Sequence, residues 1–211
     1  MRRYTSPNNT MKNYLILSLS IILIAGCSKS DTLPNVTQPE TTVTQSTEFI
    51  NYRILKGNHF CDASVIKGIS LTEQNFKVRF DSTAIYKTQT LDNQYDINKL
   101  FGFSEGADPH KNSARIGWAY NDDSLRLYGS VYNNSNLITQ QIVTCRIGEV
   151  LNCSIKLSSR NYIFSVNDKI ISLERGATSL SAEGYQLYPY FGGDETAPHD
   201  INVFISVLAG K

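Results

Sequence analysis

Several side-chain sets in this chain of 211 residues could do chemistry. The first is aromatic and planar polar. Arg126, Tyr128 and Tyr132 alternate with Leu125, Leu127 and Val131, so in a strand they share the face opposite the apolar one. Tyr188 and Tyr190 also share a face, and Pro189 between them indicates an edge position. Arg115, Trp118 and Asn112 extend the set. Flat rings stack on the C–H faces of sugars and planar polar groups bond their hydroxyls, so this is the pattern of a carbohydrate site. The competing role for Trp118 and half of the tyrosines is core packing or cross-strand pairing.

The second set lies in the loop 191–200, FGGDETAPHD. Asp194, Glu195 and Asp200 carry hard oxygen ligands that suit Ca²⁺, so a structural Ca²⁺ is the one cofactor this sequence suggests. The alternative is a rigid loop whose acids cap backbone N–H groups. The third set is His59, His110 and His199. Each lies in a polar segment within three residues of an acid, Asp62, Asp108 or Asp200. Convergence of two or three would make a metal or acid/base cluster; otherwise each bonds its own loop. The expected ligand contacts are Asn112, Arg115, Tyr128, Tyr188, Tyr190, Asp194 and His199.

Catalytic patterns are absent. Retaining glycoside hydrolases need two carboxyls about 5–5.5 Å apart. No strand carries Glu-x-Asp-x-x-Glu, and Glu149, Glu174 and Glu183 stand alone. No Gln-x-His strand of the lyase type is present either. Cys61 has His59 two positions away, which alone does not make a nucleophile and base.

The four cysteines divide by place. A basic residue, Lys12, precedes an apolar run over 15–24 that ends in Ile24-Ala25-Gly26-Cys27. The run is shorter than the roughly 20 residues that span a bilayer and has the length of a signal-peptide core. Its small residues and Cys form a bacterial lipobox, so Cys27 is expected to carry the acyl chains after residues 1–26 are removed. Residues 1–10 are polar for a leader, and Met11 is an alternative start. Of the remaining cysteines, Cys145 ends one expected strand and Cys153 begins the next. If those strands pair, the two can form a disulfide; otherwise both are small buried hydrophobes. Cys61 is expected to stay a buried thiol, and no zinc-ligand spacing occurs.

Composition sets the frame. A formal charge of +1 from 20 basic and 19 acidic residues excludes a strongly basic nucleic-acid binder. The leader takes Arg2, Arg3 and Lys12 and no acid with it, which turns +1 into −2. Residues 27–48 comprise Cys27 and a Thr/Ser/Pro-rich stretch without an aromatic or Gly, expected as a flexible tether. An edge strand over 41–47 is the alternative. All aromatics but Tyr4 and Tyr14 fall in residues 49–211. There, alternation predicts strands over 76–80, 114–120, 125–132, 137–145, 153–157, 162–166, 169–173 and 200–208, with polar turns between them. No helix-period segment of ten residues follows Cys27. The expected fold is all-β, an antiparallel sandwich.

The run 153–171, CSIKLSSRNYIFSVNDKII, resembles the central hairpins of concanavalin A-like lectin/glucanase jelly rolls. Segments 96–105 (DINKLFGFSE), 112–120 (NSARIGWAY) and 184–201 (GYQLYPYFGGDETAPHDI) are similar to segments in lipoproteins of Bacteroidetes-type bacteria, a family without an assigned activity. The resemblance implies a jelly-roll domain over 49–211 on a lipid-anchored protein of the cell envelope, with the outer membrane as the expected location. The expected partners are the membrane, through acylated Cys27, and a glycan that is bound without being cut; nucleic acid is not expected. The other readings are a glycan lyase or hydrolase with an unfamiliar site, and a structural or adhesive envelope protein with no small ligand.

Overall fold

Period-2 alternation builds the domain. In β3 (Glu73–Phe80) Phe76, Val78 and Phe80 are buried while Lys77 and Arg79 point outward. A computed structural model describes residues 48–208 of the chain. It contains two six-stranded antiparallel sheets packed face to face as a jelly-roll sandwich. The first sheet runs β1 (Ile50–Ile54), β12 (Ile201–Val207), β3, β8 (Val150–Leu157), β9 (Asn161–Val166), β10 (Lys169–Glu174). The second runs β2 (Gly68–Leu71), β11 (Ala182–Leu187), β4 (Asn98–Ser104), β5 (Asn112–Asn121), β6 (Ser124–Asn133), β7 (Asn136–Cys145). The helical content of the described residues is two short 3₁₀ turns, and no helix there is long and apolar enough to cross a membrane. The expected leader (1–26), the lipidated Cys27 and the tether up to residue 47 lie outside the described residues.

Every strand expected from alternation is present, β3 and β8 each starting three residues early. Their turns follow the same chemistry. Asp122 and Asp123 (φ 48° and 53°) and Asn134 and Ser135 (φ 48° and 69°) close the β5–β6 and β6–β7 hairpins. Positive φ at both central residues is the two-residue turn that suits the strand twist, and Asp and Asn tolerate it best. Four further strands were not expected: β1, β2, β4 and β11. In β4 the run Leu100-Phe101-Gly102-Phe103 is buried throughout, and its register against β5 shifts between Lys99 and Phe101. A bulge of this kind erases the alternation on which a period-2 reading depends.

Aromatic side chains join the two inner faces. Phe76 meets Phe101 at 5.2 Å between ring centroids, and Phe80 meets Trp118 at 5.3 Å. Trp118 is therefore core, as the competing role foresaw, and is fully buried. Cys145 and Cys153 are both free thiols, which corrects the expected disulfide. Cys145 ends β7 in the second sheet and pairs with Leu125, whereas Cys153 lies in β8 of the first sheet between Phe76 and Val166. The chain crosses from one sheet to the other between them, so they are not cross-strand partners. Burial pushes the Cys145 thiol up to about 12 and Cys153 higher still, so both act as small hydrophobes.

One ion pair is buried in this frame. Glu105, just past β4, accepts from Arg175 Nε and Nη2 at 2.7 Å each, and the two side chains are 5% and 1% exposed. Tyr162 of β9 donates to the same carboxylate, and Arg175 Nη1 donates to the Ser179 carbonyl at 2.7 Å. The pair ties the ends of β4 and β10 across the two sheets. Removing one partner strands a buried charge, so Glu105→Ala should cost about 3–5 kcal/mol of unfolding free energy in urea denaturation, while Glu105→Leu with Arg175→Met should recover most of it.

Candidate functional site

Because the inner faces are filled, each residue between two core residues must lie on an outer face. On β5 that places Arg115 between Ala114 and Ile116. Its partners across the sheet are Gly102 of β4 and Ser130 of β6. Two positions along, Gly117 pairs with Lys99 on one side and Tyr128 on the other. Paired residues share a face, so Arg115, Lys99, Tyr128 and Tyr132 all look outward from the second sheet, joined by Tyr185 and Leu187 of β11. Gly102 is required there: a Cβ would sit 2.1 Å from the Ala114 carbonyl oxygen and 2.6 Å from the Arg115 Cα.

A trough of about 490 Å³ lies over this face. Its floor is Lys99, Arg115, Tyr185 and Leu187, and its walls are Tyr188–Tyr190, Pro109–His110 and the loop residues Phe60, Ser64, Val65 and Ile66. Phe60 and Ile66 are 68% and 99% exposed, so the loop presents an apolar rim to solvent. Tyr190 is fixed by its backbone, whose N–H and C=O bond Lys99 at 3.0 and 2.8 Å. Its ring stacks on His59 at 5.2 Å and meets the edge of Phe60 at 4.9 Å. Pro189 interrupts the β11 ladder but does not mark an edge, since Tyr190 bridges both Phe60 and Lys99.

The trough carries two cations and no lining carboxylate. Lys99 Nζ donates to the Ile97 carbonyl at 2.9 Å. Burial lowers its pKa to about 8, the Arg115 charge acts in the same direction, and Asp96 opposes both. Burial also lowers the Arg115 pKa, against a smaller opposing effect of Tyr132 and Tyr185. Neither side chain joins any ion pair found among the described residues. At the rim, His110 Nδ1 lies 3.8 Å from Asp108, with both side chains mostly exposed.

Of the expected contacts, the structure brings Arg115, Tyr188 and Tyr190 together in the trough, with Tyr128 on the same face one strand further out. Tyr188 is partly drawn inward, packing at 5.8 Å from Tyr52 and 5.9 Å from Phe101. Asn112 is held elsewhere, accepting the Asn134 amide at 3.1 Å. His199 Nε2 donates to the Thr83 carbonyl at 2.9 Å, outside the trough. Asp194 is exposed in its loop.

The three loop acids do not converge. Glu195 accepts the amides of Gln89 and Thr90 at 2.8 Å each and Asn93 Nδ2 at 2.8 Å, and these bonds hold its carboxyl below the usual range. Asp200 accepts the Lys56 amide at 2.9 Å. These are caps, the alternative role the sequence left open. Among the described residues no three His, Cys, Asp or Glu side chains are grouped to hold a metal ion, and no histidine meets two acids. Lys99, Tyr185 and the Phe60–Ile66 rim were not foreseen. Lys99 sits on the unrecognised β4, and the rim belongs to a loop without periodicity.

The chain matches no family model. No curated protein matches it either. Solved structures do. The alginate lyase AlyC3 superposes with a TM-score of 0.52 at 8% identity, covering 78% of this chain and 75% of that one. AlyC3 in complex with dimannuronate gives 0.51 at 9% identity over 78% and 76%. A GH16 protein of Bacteroides ovatus in complex with the product G4G4G3G matches with 0.45 at 7% identity over 76% and 81%. At these identities the likeness is one of fold, the jelly-roll sandwich.

The depressed Lys99 pKa has a stability consequence. Below about pH 8 the folded protein bears the cost of a charged, desolvated ammonium; that cost is relieved as pH rises toward the ordinary 10.5. Lys99→Met should therefore raise the melting temperature at neutral pH, by about 2–4 °C for each kcal/mol relieved. The gain should shrink above about pH 8, where the native lysine loses its proton. Calorimetric scans of both proteins from about pH 6 to about pH 10 check this.

Proposed function

We propose that this protein binds a carbohydrate in the trough over β11, β4 and β5 without cleaving it, as an envelope protein held to a membrane through acylated Cys27. One observation carries the binding reading: an open trough whose floor and walls combine tyrosine rings with an arginine and a lysine, and which no carboxylate lines. The tyrosines supply flat faces for the pyranose C–H groups, and Arg115 and Lys99 supply donors for its oxygens. The lack of paired carboxylates weighs against acid/base hydrolysis, which requires an acid and a base or nucleophile flanking the bond. The fold is shared with the alginate lyase AlyC3, solved also in complex with dimannuronate, so a protein of this fold holds a carbohydrate. The lipobox at 24–27 supports the anchor. A tether of about twenty residues reaches roughly 25 Å as a coil, enough to hold the domain clear of the lipid surface.

The test is a glycan array probed with the purified full-length protein, read for both retention and released product. Retention of a glycan set is expected, with affinity falling about tenfold in Tyr190→Ala, the size of one lost stacking contact with its buried area. If no glycan of any class is retained, the binding reading fails. If retained glycans are shortened or gain unsaturated ends, the protein cleaves its ligand.

A further inference from the structure

Among the described residues, the other arginines that are partly or fully buried are each answered within the chain, and Arg115 is not. Arg175, fully buried, has Glu105 at 2.7 Å. Arg126, on the same outer face as Arg115, has Asp122 at 3.4 Å. Arg79 lies 4.2 Å over the ring of Phe204. Arg53 has Asp62 at 3.4 Å. Among the described residues Arg115 joins no ion pair, and burial lowers the pKa of its guanidinium against smaller opposing effects of Tyr132 and Tyr185. Lys99 stands one strand over on the same face, displaced by two positions, and satisfies its ammonium with a single carbonyl oxygen.

Two like charges are thus held close together in a half-desolvated trough. The Arg115 charge disfavours the charged form of Lys99, and burial disfavours the charged form of both. A neutral sugar would offer hydroxyl oxygens to both groups but would leave the repulsion in place. An anion seated between them would offset the repulsion and the desolvation together, and a planar oxyanion matches the guanidinium fork. The surrounding tyrosines, Tyr185 and Tyr190, can then take the ring that bears the anion.

We infer that the ligand is an acidic glycan, whose carboxylate or sulfate is received by Arg115 and Lys99 on the floor of the trough. This rests on the carbohydrate reading above and names the class of sugar. Bidentate donation from Arg115 fixes the anion, and the Lys99 ammonium closes its other side. Binding then draws a proton onto Lys99 in the range where it is partly neutral. The charged or titratable groups facing that lysine are Arg115 on β5, Asp96 before β4, and Tyr190 across the backbone bridge. Burial and the Arg115 charge place the Lys99 titration at about 8. His110 stands at the rim of the same trough.

The experiment uses the full-length protein and an array carrying neutral glycans, uronate-bearing glycans and sulfated glycans, followed by calorimetry on the best ligand. The expected result is that retained glycans are acidic. The uronate and sulfate arms tell which oxyanion is used. Arg115→Gln should weaken binding at least tenfold, and Lys99→Gln by a similar factor. Lys77→Gln, which removes the same charge from the outer face of the other sheet, should leave binding within about twofold. Affinity should fall as pH rises through about 8 in the native protein and show no such fall in Lys99→Gln. Melting curves check that each variant is folded; should Arg115→Gln unfold, Lys99→Gln and the pH profile still decide. Tight binding of a neutral glycan overturns the inference but leaves the carbohydrate reading standing. So does acidic binding that falls equally in all three variants, because it reports charge at large. No binding of any glycan overturns both.

Discussion

Everything in this domain hangs on the contact between the inner faces of its two sheets. Phe76 and Phe80 from one sheet interlock with Phe101 and Trp118 from the other. Once those rings are placed, the pleat leaves no freedom for their neighbours. Arg115 lies between Ala114 and Ile116, so it must point away from the core, and Tyr128 must do so between Leu127 and Gly129. A slip of one residue in β5 would drive the guanidinium into the aromatic layer. The site is therefore positioned by residues that never touch it. The precision of its floor comes from strands rather than loops.

The same rule explains what could be read in the sequence. β3, β5, β6 and β12 alternate plainly, and the face they expose could be named before the fold was known. Arg115 and Tyr128 are legible in this way, and Tyr188 and Tyr190 only from their own alternation about Pro189. β4 could not be. Its Leu100-Phe101-Gly102-Phe103 run has lost alternation to a bulge, and Lys99, one of the two cations of the trough, was lost with it. The contact of the Phe60–Ile66 loop with Tyr190 lies beyond any local pattern, because it joins residues about 130 positions apart. The same holds in reverse for Asn112, Asp194 and His199. Their types suited a ligand, but each is engaged or exposed away from the trough. Spacing also misled for Cys145 and Cys153. Two cysteines flanking a short turn suggest a hairpin, and only the tertiary path shows that this turn crosses from sheet to sheet.

The domain contains two treatments of an arginine removed from water. Arg175 is enclosed with its own carboxylate, a phenol and a serine, so each of its three nitrogens is answered within the chain. Such a group adds specificity to the packing and has nothing left to offer a ligand. Arg115 is less deeply placed and is answered by none of the described side chains. A fold gains no stability from that arrangement, and in the presence of Lys99 it loses some. Selection for stability alone would replace Lys99 by an apolar residue or set an acid beside it, as has happened for Arg175 and Arg126. Two cations that join no ion pair among the described residues, over a glycine-thinned sheet walled by tyrosines, make physical sense when the missing charge arrives from outside.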